Sequence, residues 1–402
     1  MEIDQGNSDN SEEKTLNTVE NRPTEKVADK TEKKPGFKDL FERLKKFWSS
    51  KKNRLITISV IGGLVIIITG LVLYKWYTDV ETGKNEESKT AEDSAATTEV
   101  QELAVSILDG TMVPKNLANR HPLAVIIENH TEARPQSGVS DASIVYEAIA
   151  EGGITRYLAL YSGYNAAKIG PVRSARTYFV DFSREYNAYL GHVGGNYDAL
   201  EQIRAEGILD LDQFQNAAYY KREAEKGISS EHTVYTSTDL LYELAGKKGY
   251  STENGFTPLK FKTDVTTESR PASQKIIVNY GSASYKVTFD YDPASNNYLR
   301  TLASLPDQDR QTGKRLSPKN VILQTVSRQA TTTKINEKGY IYTTEGQGKA
   351  QILQDGKLIT GSWQKSGASR TKFLDGNGQE ISLNPGQTWI CIVHPDISVS
   401  IE

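Results

Sequence analysis

The chain is 402 residues long, enough for two or three domains. It carries 48 Lys and Arg against 51 Asp and Glu, a net charge of −3, which excludes a strongly cationic nucleic-acid binder. Its one cysteine, Cys391, excludes an internal disulfide, a thiolate zinc site and a CxxC redox pair.

Residues 1–34 are Glu, Lys, Asn, Asp and Thr with few aliphatic side chains, so they are expected to form a disordered tail. Residues 35–54 differ. Phe37, Leu40, Phe41, Leu44, Phe47 and Trp48 recur at helical spacing among Lys38, Arg43, Lys45 and Lys46. This predicts a basic amphipathic helix lying on an anionic inner leaflet. Leu55 to Tyr74 then runs without a charge. At a rise of about 1.5 Å per residue the run is as long as a bilayer's hydrocarbon core is thick, and a transmembrane helix is predicted over 55–76. It begins too late and runs too long for a cleavable signal, and no Cys follows that could take a lipid. Cations cluster before it rather than after it, which predicts a cytoplasmic N-terminus and external C-terminal domains at the cell membrane. Residues 77–104, acidic and rich in Thr, Ser and Ala, are expected to form an extracellular stalk.

From 105 to 402 basic and acidic residues balance, so any anion recognition there must be local. Residues 105–265 read as an α/β domain. HPLAVIIEN (121–129) and TRYLALYS (155–162) are expected strands. Between them DASIVYEAIAEG, with Ser140 as cap, reads as a helix ended by Gly152-Gly153. Further helices are expected within 178–190, over 197–207 and in DLLYELAGKKG. After a polar boundary at 266–274, residues 275–402 show short β-branched and aromatic runs separated by turns such as Asp355-Gly356 and Asn377-Gly378. This predicts a mostly β C-terminal domain. Trp363, Trp389 and Cys391 fall in apolar strand patterns and are expected in its core.

Chemistry-bearing residues concentrate between 128 and 198. NHTEARPQSG (129–138) offers Asn129, Arg134 and Gln136; YEAIAEGGITR (146–156) offers Glu147, Glu151 and Arg156. IGPVRSAR (169–176) offers Arg173, Ser174 and Arg176, followed by Asp181 and by HVGG with His192, Gly194 and Gly195. Together these motifs closely resemble the YerB-like proteins of Gram-positive bacteria, whose two halves are known as domains of unknown function. The resemblance extends over about residues 105–395 and includes NNYLRTLASLPDQDRQTGKRLSPKNVIL and GSWQKSGASRTKFLDGNGQEISLNPGQTWICIV. Many members are lipoproteins; a transmembrane anchor departs from that pattern. The resemblance implies fold and location and no established reaction.

The residues themselves leave several readings open. Arg134, Arg156, Arg173 and Arg176 sit beside Gly, Pro or Ser in loop-like segments, where guanidinium forks recognise carboxylate or phosphate. They would converge near Glu147 and Glu151, with Asp181 and His192 at the rim, either as an internal ion-pair network or as a cleft for an anionic wall polymer or a stem peptide. A glycan hydrolase would use Glu147, Glu151 or Asp181 as its carboxylates. Ser174, His192 and Asp181 or Asp198 as a triad lack the GxSxG context. His192 and His232 lack metal-ligand spacing, so no metal and no cofactor is expected. Gly194-Gly195 would offer backbone amides to an anion. Tyr298, Arg300, Asp307, Asp309 and Arg310 read as one long loop placed to lean over the first domain. A structural partner of an envelope complex is the remaining reading.

Overall fold

A computed structural model of the chain describes Lys45, Ser49, residues 68–75 and residues 102–402. The expected tail, basic helix and stalk, and most of the expected span, lie outside these residues. Residues 68–75 are helical, with Ile68, Leu71, Val72 and Leu73 exposed. Among the described residues no helix is long and apolar enough to cross a membrane. The two sequence halves read as domains both lie in a single unit, Glu99–Glu402.

This unit is mixed α/β with a mostly β C-terminal half, and its centre is one ten-stranded sheet to which both halves contribute. The first half supplies β1 (Leu123–Glu128), β2 (Ile144–Ile149), β3 (Thr155–Tyr161), β4 (Tyr189–His192) and β5 (Asp210–Asp212). The second half supplies β6 (Lys275–Asn279), β7 (Lys286–Asp292), β8 (Asn297–Leu302), β9 (Leu305–Pro306) and β10 (Asn320–Thr325). It continues with β11 (Gly346–Gln354), β12 (Lys357–Lys365), β13 (Lys372–Leu374), β14 (Thr388–Val393) and β15 (Ser398–Ile401). The large sheet runs β13-β12-β11-β10-β14-β2-β3-β1-β4-β5. The seam between halves is the parallel pair β14 and β2, with Trp389 opposite Val145 and Cys391 opposite Glu147. A smaller sheet, β9-β8-β7-β6-β15, belongs to the second half alone.

Alternate residues of a strand face opposite sides of its sheet. Leu123, Val125 and Ile127 accordingly join Ile276, Val278, Val287 and Phe289 of the smaller sheet in one core. Ala124 and Ile126 face the other way, onto Tyr178, Phe179 and Phe182 of helix α1 (Thr177–Arg184) and Ala199 and Ile203 of α2 (Tyr197–Ala205). Helix α3 (Thr238–Lys247) adds Leu241 and Leu244 to the first core. The two longer helices are capped by side chains: Asn196 Oδ1 accepts from the Ala199 amide and Ser237 Oγ from the Leu240 amide, at 3.2 Å each.

Two segments differ from their expected type. Residues 144–149 are the central strand β2, not a helix, and all six are buried. A strand covered on both faces loses its period of two, and a short apolar run then mimics a helical repeat. Ser140 caps no α-helix; it lies in a 3-10 turn, Val139–Asp141, where its amide donates to Asp309 Oδ2 at 3.1 Å. Likewise Tyr298 and Arg300 are not loop residues but inward positions of β8. The turn beyond them does lean on the first half: the Arg310 amide donates to the Gln136 carbonyl at 2.6 Å, and its Nε to that of Pro135 at 2.9 Å.

Candidate functional site

The two most distinctive motifs meet. Ser137 and Gly170 exchange backbone hydrogen bonds of 2.8 and 3.1 Å, and the Arg173 amide donates to the Ile126 carbonyl at 2.8 Å. The Arg134–Pro135 and Gly170–Pro171 peptide bonds are both cis. The backbone bonds pin 169–176 across the end of β1 and deliver its arginines to the residues at that end.

On the helix-covered side of the sheet lies the first charged cluster. Glu128, the last residue of β1 and only 2 % exposed, accepts from Arg173 Nε at 2.6 Å. Arg156, its register partner on β3, brings Nε within 3.8 Å of Glu128 and Nη2 within 3.3 Å of Glu151. Arg176, which precedes α1, donates its Nε to Glu151. Arg156 Nη1 also donates to the Ser174 carbonyl at 3.3 Å. Three of the four expected arginines therefore gather, around Glu128 and Glu151. The side chains of Arg173, Arg176 and Glu151 keep 20, 14 and 34 % exposure against 8 % for Arg156, so the outer pair of guanidiniums is the part a solute can reach.

Burial, with the neighbouring Arg176, pulls the Arg156 guanidinium below its ordinary value. Burial works to raise Glu151, but the Arg176 hydrogen bond and the charges of Arg156 and Arg176 prevail and hold its carboxyl below its usual range. A depressed carboxyl stabilises the fold above the unfolded-state pKa of about 4.3, and that contribution is lost as pH falls through the folded value. The melting-temperature gap between the wild type and Glu151→Gln should therefore shrink steadily below about pH 4. A gap independent of pH between 3 and 6 would contradict the pairing.

Glu147 is not part of this cluster. It alternates with Ala148 on β2 and faces the smaller sheet, completely buried. Its Oε2 accepts from Arg300 Nη2 at 2.8 Å and from Trp389 Nε1 at 3.1 Å; its Oε1 accepts from Thr155 Oγ1 at 3.0 Å. Arg300, also fully buried, donates to Asp307 and stacks over the Trp389 ring at 4.2 Å. Burial opposes the Arg300 charge, yet Tyr157 and Glu147 outweigh it and hold its pKa above the ordinary value. The chain of contacts continues outward. Asn129 Nδ2 donates to Thr155 Oγ1 at 2.6 Å, and Asn129 Oδ1 accepts from Gln136 Nε2 at 2.8 Å and Arg134 Nε at 3.0 Å. Arg134 lies 4.7 Å over the Tyr285 ring and donates to the Ser284 carbonyl at 2.8 Å. Arg134, Asn129 and Gln136 thus brace the smaller sheet against the large one.

The remaining candidates are dispersed. Asp181, on α1, accepts from Gln202 Nε2 at 2.6 Å and Thr344 Oγ1 at 2.7 Å. His192 is fully buried on β4 between the Gly194 carbonyl at 2.7 Å and Asp210 Oδ1 at 2.9 Å. The Gly194 amide donates to Asp212 Oδ1 at 2.8 Å, so it is occupied within the fold. Gly194 has φ +56°, and a Cβ there would stand 2.6 Å from the Phe214 ring. Gly195 bridges to Ala175. Burial pushes the Cys391 thiol up, as does Glu147; the thiol is buried as its strand pattern suggests.

Sequence reasoning missed Glu128, placed Arg300 in a loop, and gave His130 no role of its own within the 129–138 motif. A Glu closing the six-residue strand LAVIIE, and an Arg at an inward position of NYLRTL, were the available signals. His130 and His232 stack with centroids 4.6 Å apart and planes 3° apart. His232 Nδ1 lies 3.8 Å from Glu128 Oε2, and Arg173 Nη2 lies 3.3 Å from Glu231 Oε1. Burial holds the His232 imidazole below its usual pKa, against the raising effect of Glu128.

Beside Glu151 the surface opens into a groove of about 470 Å³. Glu151 and Gly152 form one wall; Thr331, Thr332, Lys338 and Tyr340 of the hairpin Arg328–Thr332 and Lys338–Tyr342 form the other. Tyr342 Oη, donating to the Ile149 carbonyl at 2.9 Å, ties that hairpin to the end of β2.

A two-part α/β and β unit with charged networks at the ends of a shared sheet matches a known pair of domains. Residues 108–251 match the protein of unknown function (DUF3048) N-terminal domain, and residues 276–390 its C-terminal domain. The chain belongs to this YerB-like family. It is 33 % identical over 301 residues to a Bacillus subtilis protein named "Putative lipoprotein YerB", covering 73 % of this chain and 87 % of that one. The crystal structure of YerB from Bacillus subtilis superposes with a TM-score of 0.65 at 30 % identity, covering 74 % of this chain and 99 % of the other.

Proposed function

We propose that this protein is anchored in the cell membrane with residues 78–402 external, and that its folded unit binds an anionic component of the cell envelope without cleaving it. The observation that carries the reading is the gathering of Arg156, Arg173 and Arg176 on Glu128 and Glu151 beside an open groove. Arg173 and Arg176 are partly exposed and held in fixed orientation by Glu128 and Glu151; Glu151 itself lines the groove, and Lys338 adds a cation across it. Guanidiniums fixed in this way recognise phosphate or carboxylate with little further ordering. The relative named a lipoprotein supports membrane attachment, which the uncharged run 55–74 would provide here.

Two features weigh against the hydrolase. Glu147 and Glu151 serve networks on opposite faces of the sheet, and Glu147 is neutralised by Arg300. Glu151 is held below its ordinary pKa, whereas a general acid for glycoside cleavage needs one raised. The full chain in detergent should therefore sediment with purified peptidoglycan that retains its anionic polymers and release no soluble fragments. Failure to sediment, or the appearance of fragments, would overturn the reading; the former points to an envelope protein as partner.

A further inference from the structure

We infer that His130, Glu132 and His232 form a binding site for a divalent transition-metal ion of the zinc class. One donor atom from each lies within 4.8 Å of the others. Two imidazoles and one carboxylate are a donor set suited to zinc and its neighbours, and unlike an all-carboxylate cluster they disfavour calcium and magnesium.

The His130 and His232 rings stack with planes 3° apart, so the partly exposed His130 must turn to aim its lone pair at a shared ion, while the surroundings hold His232. His232 is only 4 % exposed, and its Nδ1 has no hydrogen-bond partner although it faces the Glu128 carboxylate at 3.8 Å. A carboxylate behind one ring nitrogen is the usual means of fixing a ligating histidine with its other nitrogen free for the ion. That other nitrogen, Nε2, is 3.5 Å from Glu231 Oε1, a further oxygen within reach. Arg173 anchors Glu128 at 2.6 Å, so the supporting carboxylate is itself held. His130 begins the 3-10 turn Thr131–Ala133, and its Nδ1 accepts only a long contact of 3.3 Å from the Glu132 amide. Glu132 is exposed, and its Oε2 accepts a 3.4 Å contact from the Ser229 amide. Its side chain can therefore swing to close donor distances to the roughly 2.0–2.2 Å of a bound zinc at little cost. Three protein donors leave at least one coordination position for solvent or a ligand oxygen.

The test uses the full chain without an affinity tag, in detergent, after removal of metal with a chelator. Cobalt(II) is titrated and followed by its visible d–d absorption, and zinc by calorimetry and by thermal melting. The expected result is one equivalent of each metal bound, with melting raised by zinc. His130→Ala and Glu132→Gln should each weaken binding at least about tenfold, and Glu132→Gln, at an exposed position, should leave the metal-free melting temperature unchanged. Absence of saturable binding would overturn the inference. So would stoichiometric binding that both variants retain, because the ion would then sit elsewhere.

Discussion

Arg300→Ala is expected to destabilise the folded unit by about 3–5 kcal/mol, the usual consequence of stranding a buried charge. Arg300 and Glu147 are both fully buried, and Glu147 would keep only Trp389 Nε1 and Thr155 Oγ1 as donors. Asp307 would lose its guanidinium at the same time. The substitution also empties the space over the Trp389 ring, which lies 4.2 Å from the guanidinium carbon. Because Arg300 comes from the second half and Glu147 from the first, their pairing fastens the two halves together. Denaturant unfolding should show a lower midpoint with a single transition. If the double variant Arg300→Met with Glu147→Leu recovers much of the loss, the cost lies in the stranded charge rather than in lost packing. A loss below about 1 kcal/mol for Arg300→Ala would contradict this role.

Arg173→Ala has the second-largest expected effect, about 3 kcal/mol. Glu128 is 2 % exposed and would keep the Asn129 and His130 amides at 3.0 and 3.2 Å, but the only cationic side chains left near it would be Arg156 Nε and His232 Nδ1, each at 3.8 Å, beyond good hydrogen-bond range. The loss falls at the lower end of the range for breaking buried pairs because those two groups remain near. Glu128→Gln alongside Arg173→Ala should lose less than Arg173→Ala alone, since no charge is then stranded. Equal losses would show that packing of the Arg173 stem, not the carboxylate, sets the cost.

These two effects mark where the sequence was readable. Strands β1 and β3, the helices at 177–184, 197–205 and 238–247, and most of the short strands after 275 followed from apolar runs, helical periodicity and turn residues. Residues 144–149 were not readable in the same way, because the strand at the seam is apolar on both faces and carries no period of two. That misreading displaced Glu147. On a helix it would share a face with Glu151; on a strand it faces the smaller sheet, while Glu151 lies in the turn beyond the strand's end. Arg173 and Arg176 were legible because Gly, Pro and Ser mark their loop; Arg156, also expected in a loop, lies instead on β3 opposite Glu128. Glu128 itself was hidden as the last residue of a core strand. No local feature could reveal that β14 would pair with β2, since that contact joins residues more than 240 apart.

The measurement that bears most directly on the proposed function is the affinity of Arg176→Ala for peptidoglycan carrying anionic polymers. Arg176 is partly exposed and paired with Glu151, which lines the groove, and Glu151 keeps Arg156 at 3.3 Å when Arg176 is removed. Stability should therefore change by no more than about 1 kcal/mol. Loss of a charge-assisted contact to an anion should weaken binding about tenfold or more. A variant that melts like the wild type and binds at least about tenfold more weakly is the predicted result. A variant that melts like the wild type and binds equally well would contradict the assignment of this cluster as the binding site.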